Sequence, residues 1–351
     1  MSDPAMPSTL DSRTPTAQPA RTPVAATDWQ LAMQSAIRSL DVLLAALSLS
    51  PRDVAVSAAA AEQFPVLVTP SMLARMRRGD PRDPLLLQFL PRLEETLPQP
   101  AGYRGDPLDE RTALRGEGLL QKYAGRLLAV ATGACAVHCR YCFRRHFPYS
   151  EQQASAGRWQ GVLTRLREDP SLHELILSGG DPLMLTDRRL ADLLEPLAGI
   201  ATLRRLRIHT RLPVVLPARI DASLTALLAG FPGTLVVVVH VNHPRELDAA
   251  AGTALCRLRQ AGALLFNQAV LLRGINDDLA TQMALWQTLA DTGVMPYYLH
   301  LLDPVAGAAH FDVPESEART LISALRERLP GYLVPRLARE VPGEPAKTVL
   351  A

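Results

Sequence analysis

The chain has 351 residues, which is enough to bury a large core in one domain with or without an extension. Its composition, 48% hydrophobic and 21% charged, is typical of a globular protein, and a net charge of +2 indicates neither a nucleic-acid nor a membrane partner. The longest apolar run, TLVVVVHV, is too short to span a bilayer, and four cysteines with three inside eight residues do not resemble a disulfide framework. We therefore expect a cytoplasmic protein.

The N-terminal third divides into three segments. Residues 1–28 are rich in Ala, Pro, Ser and Thr, which predicts disorder, and Asp3 and Asp11 argue against a transit peptide. Residues 29–107 are predicted to form a helical extension, because WQLAMQSAIRSLDVLLAAL has apolar residues at helical spacing and PSMLARMRRG has a glycine stop. The polar segment 105–126 is typical of a linker.

A different pattern begins at Leu127 and continues through the rest of the main domain, which we assign to residues 108–351. Short apolar runs now alternate with helical stretches, at a spacing that suits one strand and one crossover helix. The six runs are LLAVAT (127–132), ELILSG (174–179), LRIHT (206–210), TLVVVVHV (234–241), LLFNQAVLL (264–272) and PYYLHLL (296–302). They predict a parallel α/β sheet, either doubly wound or rolled into a barrel. A seventh extended piece, YLVPRLARE (332–340), follows.

Chemically reactive residues follow these predicted strands. The cysteine cluster comes after the first strand, SGGD after the second and HTR after the third; His240, Gln268 and Asp303 lie in or after the last three. In parallel α/β folds the ligand binds at the carboxyl ends of the strands. The sequence therefore predicts one active-site mouth.

The cysteine cluster GACAVHCRYCFRRHF places Cys135, Cys139 and Cys142 at C-x3-C-x2-C spacing. Thiolates are preferred ligands of zinc and of iron–sulfur clusters. Three thiolates on a short loop can hold one face of a cubane cluster and leave the fourth iron without a protein ligand. The spacing favours such a cluster.

Two other readings of the cluster stay open at this stage. His138 or His146 could complete a zinc site, and Cys139 with Cys142 could form a redox pair, although that would leave Cys135 unexplained. The fourth cysteine, Cys256, lies within the helical pattern GTALCRLRQAG and is expected to be a small core residue.

The motif C-x3-C-x-aromatic-C, with Tyr141 as the aromatic residue, resembles the signature of radical S-adenosylmethionine enzymes. That resemblance implies a 4Fe-4S cluster on the three cysteines, S-adenosyl-L-methionine on the open iron, and a 5′-deoxyadenosyl radical. LSGGDPL (177–183) is similar to the family's glycine-rich stretch, which receives the methionyl amine. The implied cofactor contacts there are Ser178, Gly179, Gly180 and Asp181.

Lysine is rare in this chain. Only Lys122 and Lys347 are lysines among 37 basic residues, and Lys347 stands in the tail GEPAKTVLA. Pyridoxal 5′-phosphate is held as a Schiff base, which needs a primary amine that arginine cannot supply. Lys347 could instead be a solvated residue of the tail. The chain, however, has arginine at nearly every other basic position, so a lysine here is unusual.

Together the two features resemble the lysine 2,3-aminomutase family, over about Leu108 to Lys347. The resemblance implies that Lys347 is the catalytic Schiff-base lysine. It implies that Tyr123 and Arg126 in KYAGR contact the cofactor, with Lys122 where the family has arginine. It also implies two residues that line the S-adenosylmethionine site, His240 and Gln268.

The same resemblance implies how a substrate is held. Arg144 matches the arginine that binds the substrate α-carboxylate, with Arg145 as the alternative. Asp303 matches one of two aspartates that bind the ε-ammonium, and Glu340 stands at the second. Without the resemblance, Asp303 could equally be a helix cap and Glu340 a surface charge.

The resemblance is strongest to a short branch of the family, because the chain stops four residues after Lys347, where longer members continue into a cysteine-rich zinc tail. That branch makes β-lysine to modify elongation factor P. The implied partners are L-lysine, an electron donor such as flavodoxin, and elongation factor P with its lysyl ligase. We therefore expect an isomerase, with a radical aminomutase for glutamate or arginine, or a zinc-stabilised binding protein, as alternatives.

Overall fold

The computed structural model describes residues 27–149 and 159–351. The segment predicted to be disordered, 1–28, lies outside the described residues except for its last two. Asp28 begins the first helix, and the Gln30 side chain accepts a hydrogen bond from the Thr27 N–H at 2.9 Å. In the described ranges, the helices are all too short or too polar to cross a membrane.

Short helices make up the N-terminal extension, as predicted. Among the described residues they are α1 (Asp28–Gln34), α2 (Leu40–Ala46), α3 (Ala58–Gln63), α4 (Pro70–Leu73) and α5 (Pro84–Leu87), followed by a 3₁₀ helix (Leu93–Thr96). The periodic stretch after Trp29 is two helices rather than one, because Ile37 pairs with Val68 in an isolated bridge between them. Thr69 and Asp83 cap helices whose first residue is proline.

Over residues 119–149 and 159–351, the structure has one sheet of nine strands in sequential order. The strands are β1 (Leu119–Leu120), β2 (Arg126–Thr132), β3 (Glu174–Gly179), β4 (Arg205–Thr210), β5 (Thr234–Val239), β6 (Leu264–Val270), β7 (Met295–His300), β8 (Arg336–Arg339) and β9 (Thr348–Val349). Strands β2 to β8 run parallel, and β1 and β9 pair antiparallel at the two edges. The six predicted strands and the seventh extended piece are all present.

Helices cross over between consecutive parallel strands. They are α6 (Trp159–Glu168), α7 (Asp187–Leu197), α8 (Leu212–Val215), α9 (Ala222–Ala229), α10 (Ala249–Gln260), α11 (Leu279–Asp291) and α12 (Glu315–Arg328). Side chains of Asp221, Asp248 and Asp278 accept hydrogen bonds at the starts of α9, α10 and α11. The apolar faces of these helices and of the sheet form one continuous core. Parallel strands covered in this way read as nearly continuous apolar runs, which is why the sequence predicts them well.

The sheet curls into a partial barrel. One cavity is lined by a residue from every strand: Leu120, Leu128, Ile176, His209, Val238, Gln268, His300, Arg336 and Val349. Neighbouring strands lie about 4.8 Å apart, so a flat sheet would separate β1 from β9 by several times the width of one cavity. The barrel alternative is therefore confirmed over the doubly wound one, and the fold is a partial (βα)6 barrel with an N-terminal helical extension.

The segment 105–126 is not a linker, and that prediction is wrong. It contains a 3₁₀ helix (Glu110–Ala113) and strand β1, which pairs with β2. Leu120 is 1% exposed and Glu110 is 3% exposed. Three of its charged side chains, Glu110, Lys122 and Arg126, line the cavity, whereas Arg111, Arg115 and Glu117 are exposed. The domain boundaries at 28/29 and 107/108 stay predictions.

Candidate active site

The cavity lies at the carboxyl ends of the parallel strands and has a volume of about 520 Å³. It is the place where the sequence predicted an active-site mouth. Every residue predicted to bind cofactor, substrate or metal lines it: Tyr123, Arg126, Cys135, Cys139, Cys142, Arg144, Ser178, Gly179, Gly180, Asp181, His240, Gln268, Asp303, Glu340 and Lys347. The fold thus brings together residues more than 200 positions apart, while the individual roles stay predictions.

Three free thiols form what we call the cysteine end of the cavity: Cys135, Cys139 and Cys142, on the loop after β2. Burial raises the pKa of Cys142 to about 11 and that of Cys135 well above its ordinary value. Such thiols lose their protons to an incoming metal, so metal binding here releases protons. Three sulfur donors on one loop facing a cavity fit a cluster whose open iron points into that cavity.

The zinc alternative finds no support in the histidines. His138 makes a 2.8 Å ring-nitrogen contact with the Pro65 carbonyl oxygen, and His146 makes one of 3.1 Å with that of Ala306. Across residues 27–149 and 159–351, no three His, Cys, Asp or Glu side chains form a group that could hold a single metal ion. Thiolates that bind three different irons of a cluster need not converge in that way. Cys256 is partly buried in α10 and does not line the cavity.

The glycine-rich turn after β3 packs against the cysteine loop. Gly179 has φ +115°, and a Cβ on it would lie 2.7 Å from the Thr132 carbonyl oxygen. A Cβ on Gly180 would lie 2.4 Å from the Ala134 carbonyl oxygen. Both positions therefore require glycine for contact with the protein's own backbone, in addition to any contact with a ligand.

Asp181 ties this turn to the end of β4. Its carboxylate accepts hydrogen bonds from the Thr210 hydroxyl at 2.8 Å, the Arg211 N–H at 2.7 Å and the Leu183 N–H at 3.1 Å. Burial raises its pKa to about 6, against the effect of these donors. In this structure Asp181 fixes the backbone around the cavity.

Arg211 is a site residue to which the sequence assigned no role, although HTR was noted after the third strand. It donates to the Cys139 Sγ at 2.8 Å and to the Tyr141 hydroxyl at 2.7 Å. Its other terminal nitrogen donates to Gln88 at 2.6 Å and to Glu246 at 2.8 Å. The position after a strand is the only signal in the sequence, since these partners come from distant segments.

His240 directly follows β5, and Gln268 lies on β6. His240 stacks on Tyr141, and its Nε2 lies 3.0 Å from the tyrosine oxygen. Burial lowers the pKa of His240 to about 3, so the ring is neutral and offers a hydrogen-bonding edge to the cavity.

We call the opposite part of the cavity the lysine end: Lys347, Glu340, Lys122 and Asp303. Lys347 and Glu340 form an ion pair, and the second Glu340 oxygen is 2.8 Å from Lys122. Burial alone would raise the pKa of Glu340, but the two ammonium groups lower it to about 2. Both lysines of the chain thus contact one carboxylate.

Asp303 differs from its neighbour Glu340. Within the described part of the chain, no hydrogen bond or salt bridge reaches its carboxylate. Burial, and next the charge of Glu340, raise the pKa of Asp303 to about 7. A buried carboxylate without a close partner is costly to ionise, and a bound cation relieves that cost.

Arg144 lies between the two ends. It donates to Glu110 through two nitrogens, at 2.7 and 2.8 Å, and to the Ser178 hydroxyl at 2.9 Å. Lys122 is 3.3 Å from the same Glu110. The alternative residue, Arg145, binds Glu95 and does not line the cavity. Glu110 was missed because it lies in the stretch interpreted as a linker.

Other cavity residues frame the lysine end. The Arg126 guanidinium lies 5.1 Å from the centre of the Tyr123 ring. His209 and His300 also face the cavity, and burial lowers the pKa of each well below its ordinary value. The Nε2 atom of His209 is buried without a hydrogen-bond partner.

The sequence is similar to several proteins named L-lysine 2,3-aminomutase. It is 45% identical to the one from Escherichia coli (strain K12) over 324 residues, covering 92% of this chain and 94% of that protein. The protein from Haemophilus influenzae is 44% identical, with 92% and 96% covered, and the protein from Clostridium subterminale is 32% identical, with 92% and 77% covered. No protein-family model matches the sequence.

Among solved structures, a radical SAM methyltransferase from Sphaerobacter thermophilus aligns with a TM-score of 0.46 and 19% identity. The alignment covers 63% of this chain and 68% of that one.

Proposed function

Since the chain belongs to the L-lysine 2,3-aminomutase family and is therefore an isomerase of the aminomutase type, we propose that it converts L-lysine to β-lysine. The reaction exchanges the α-amino group with a hydrogen on Cβ, so substrate and product contain the same atoms. We further propose that it uses a 4Fe-4S cluster, S-adenosyl-L-methionine and pyridoxal 5′-phosphate.

One observation carries this proposal: a primary amine and three free cysteines line the same cavity. Lys347 is one of only two lysines in the chain, yet it faces the cavity that the cysteine loop also faces. A primary amine can react with the aldehyde of pyridoxal 5′-phosphate. Three thiolates can bind a 4Fe-4S cluster in which one iron has no protein ligand. A zinc-stabilised binding protein would need no amine there.

When bound, the cluster with S-adenosylmethionine would supply the radical that removes hydrogen, and the pyridine ring would delocalise the unpaired electron. The chain's own residues bind and orient. Cys135, Cys139 and Cys142 would hold the iron, and Lys347 would hold the aldehyde carbon. His240 and Gln268 offer neutral polar groups to the same cavity.

The charges of the cavity favour a substrate with a carboxylate at one side and an ammonium at the other. Arg144 brings a guanidinium to the cavity, where it donates to Glu110 and Ser178, and a substrate carboxylate would replace one of these acceptors. Asp303 offers a carboxylate that has no close partner among the described residues. Glu340 lies in the same region and adds a second negative charge, which is balanced by Lys122 and Lys347. Glutamate would bring its side-chain carboxylate against these acids, which favours lysine.

The wider role proposed from the sequence is the supply of β-lysine for modification of elongation factor P by its lysyl ligase, with flavodoxin or a similar protein as electron donor and the cytoplasm as location. These partners follow from the resemblance to the short branch.

The test is anaerobic incubation of reconstituted protein with reductant, S-adenosylmethionine and L-lysine, followed by chromatography of the products. We expect β-lysine and no product when S-adenosylmethionine is omitted. Parallel incubations with glutamate and arginine test the rival substrates. Turnover of either in preference to lysine would contradict the proposal.

A separate measurement tests the amine. Borohydride reduction of the holoprotein followed by peptide mapping should find a phosphopyridoxyl group on Lys347. The matched control is Lys122, which binds the same carboxylate. A label on Lys122 with none on Lys347 would contradict the assignment.

A further inference from the structure

The cysteine loop is anchored to the N-terminal extension by a buried cluster of charges. Arg140 lies between Cys139 and Tyr141, and its side chain is fully buried. Its guanidinium donates to both oxygens of Glu95, at 2.9 and 2.5 Å. Arg145 donates to Glu95 as well, at 2.8 Å, and both side chains of that pair are 1% exposed. One carboxylate of the extension therefore binds two arginines of the cysteine loop.

Backbone contacts add to this anchor. The His138 N–H donates to the Leu67 carbonyl at 3.0 Å, and the Arg140 N–H donates to the Gln88 carbonyl at 2.9 Å. Arg140 also donates to the carbonyl of Ala60, at 3.0 Å. The hydrogen bonds that His138 and Arg140 donate thus reach residues 45 to 80 positions earlier in the chain.

These contacts fix the positions of two cysteines without touching the cavity. Arg140 directly follows Cys139, and Arg145 follows Cys142 by three residues. Glu95 does not line the cavity, and besides these arginines it accepts a hydrogen bond from the Arg92 N–H at 3.0 Å. Its carboxylate thus joins the extension to the cysteine loop. Loss of its charge would leave two guanidinium groups buried near each other without a counter-ion, and the loop would have to move to hydrate them.

We propose that Glu95 is a positioning residue for the iron–sulfur cluster, and that the N-terminal helical extension is thereby part of the cluster site. The inference rests on the cluster in the proposed function. The extension then helps to position the cysteine loop. This matters because the geometry of the three cysteine sulfurs determines the affinity for a cluster. Outer partners of metal ligands change metal affinity by roughly 10–100-fold when they are removed.

The experiment compares Glu95→Gln with Glu94→Gln after anaerobic reconstitution with ferrous iron and sulfide. Glu94 is the neighbouring acid; it binds Arg92 and its side chain is 32% exposed. The measurements are iron and sulfide per chain, the rate of iron loss to a chelator, and the electron paramagnetic resonance of the reduced cluster with and without S-adenosylmethionine. For Glu95→Gln we expect iron loss at least about tenfold faster and an altered spectrum. Glu94→Gln should match the wild type.

A general loss of stability is tested with Leu325→Ala, a core substitution in α12, which packs on α11 and β8. We expect it to lower the melting temperature but to keep the wild-type rate of iron loss. Equal iron loss from Leu325→Ala and Glu95→Gln at similar melting temperatures would overturn the inference, as would wild-type behaviour of Glu95→Gln.

Glu95→Asp keeps the charge with a shorter side chain and covers the case in which Glu95→Gln does not fold. We expect an intermediate rate of iron loss, and a wild-type rate would overturn the inference. If the wild-type protein itself binds no cluster, the proposed function fails first. The two failures are therefore distinguishable.

Discussion

The cysteine end and the lysine end of the cavity are held in different ways. At the cysteine end, buried arginines have close carboxylate partners, such as Arg211 with Glu246 and Arg140 with Glu95. At the lysine end, Lys347 and Glu340 are 24% and 13% exposed, and Asp303 has no close partner within the described residues. The first arrangement fixes a backbone, whereas the second leaves one carboxylate, that of Asp303, for a ligand to contact. The cysteine loop is therefore held by buried ion pairs, whereas the lysine end keeps one carboxylate available to a ligand.

The strongest way to separate the two ends is Lys347→Arg. The arginine can keep an ion pair with Glu340 but cannot form an imine, so we expect a fall in β-lysine formation of at least about 10³-fold. Iron and sulfide content should stay at the wild-type level, because the cysteine end is unchanged. Detectable turnover above that limit would show that the amine is dispensable.

The reciprocal change is Cys142→Ala, with Cys256→Ser as the control. We expect the loss of the cluster and of activity, because a cluster face needs all three thiolates. Attachment of pyridoxal phosphate to Lys347, followed by borohydride trapping, should survive. If trapping is lost together with iron in Cys142→Ala, the two ends are not independent.

Arg144→Lys tests the group between the ends. A lysine keeps the charge but loses the two-pronged contact, so we expect kcat/KM for L-lysine to fall about 100-fold, or ~2.7 kcal/mol. Most of the change should lie in KM if Arg144 holds the substrate carboxylate. A normal KM with a reduced iron content would instead assign Arg144 to the cysteine end.

The pH dependence of lysine binding tests whether the Asp303 carboxylate binds the substrate ammonium. Its pKa of about 7 means that the carboxylate is mostly protonated below pH 7 and charged above it. Affinity for the lysine ammonium should therefore fall about tenfold from pH 8 to pH 6. Asp303→Asn should bind weakly with no such step, and Asp291→Asn, at the exposed end of α11, should keep it. Measurement of KM against pH checks both variants.

The smallest effect concerns stability. The pKa of Asp303 in the folded protein lies above its ordinary value of 3.8, so its stabilising contribution is present below pH 4 and is lost as pH rises through 7. Asp303→Asn should therefore raise the melting temperature of the cofactor-free protein by about 2 to 4 °C at pH 8, and by less at pH 5. A gain that is equal at both pH values would mean that the carboxylate is not the cause.

Many residues of this cavity could be predicted from the sequence, because they are recognisable from their type and from their close neighbours in the chain. Cys135, Cys139 and Cys142 are close in the chain, and Lys347 is conspicuous in a chain with only two lysines. The strands were predictable because their faces are both covered and they read as apolar runs. The break between α1 and α2 was not predicted, since it depends on a bridge from Ile37 to Val68.

The missed residues share a different property. Glu110, Arg211 and Glu95 are charged side chains whose burial depends on partners 34 to 50 positions away. A polar residue that faces a cavity and one that faces solvent look the same in a sequence. The segment 105–126 was interpreted as a linker for that reason.

The sequence by itself determined the order of strands and helices, the spacing of three cysteines on one loop and the presence of only two lysines, because each of these is visible in neighbouring residues or in a regular period. Only the tertiary structure decided that the sheet curls, that Glu340 is shared by both lysines, and that the extension holds the cysteine loop. Those facts depend on the closing of a curved sheet and on pairing of buried charges, and both are properties of distant segments brought together by the core.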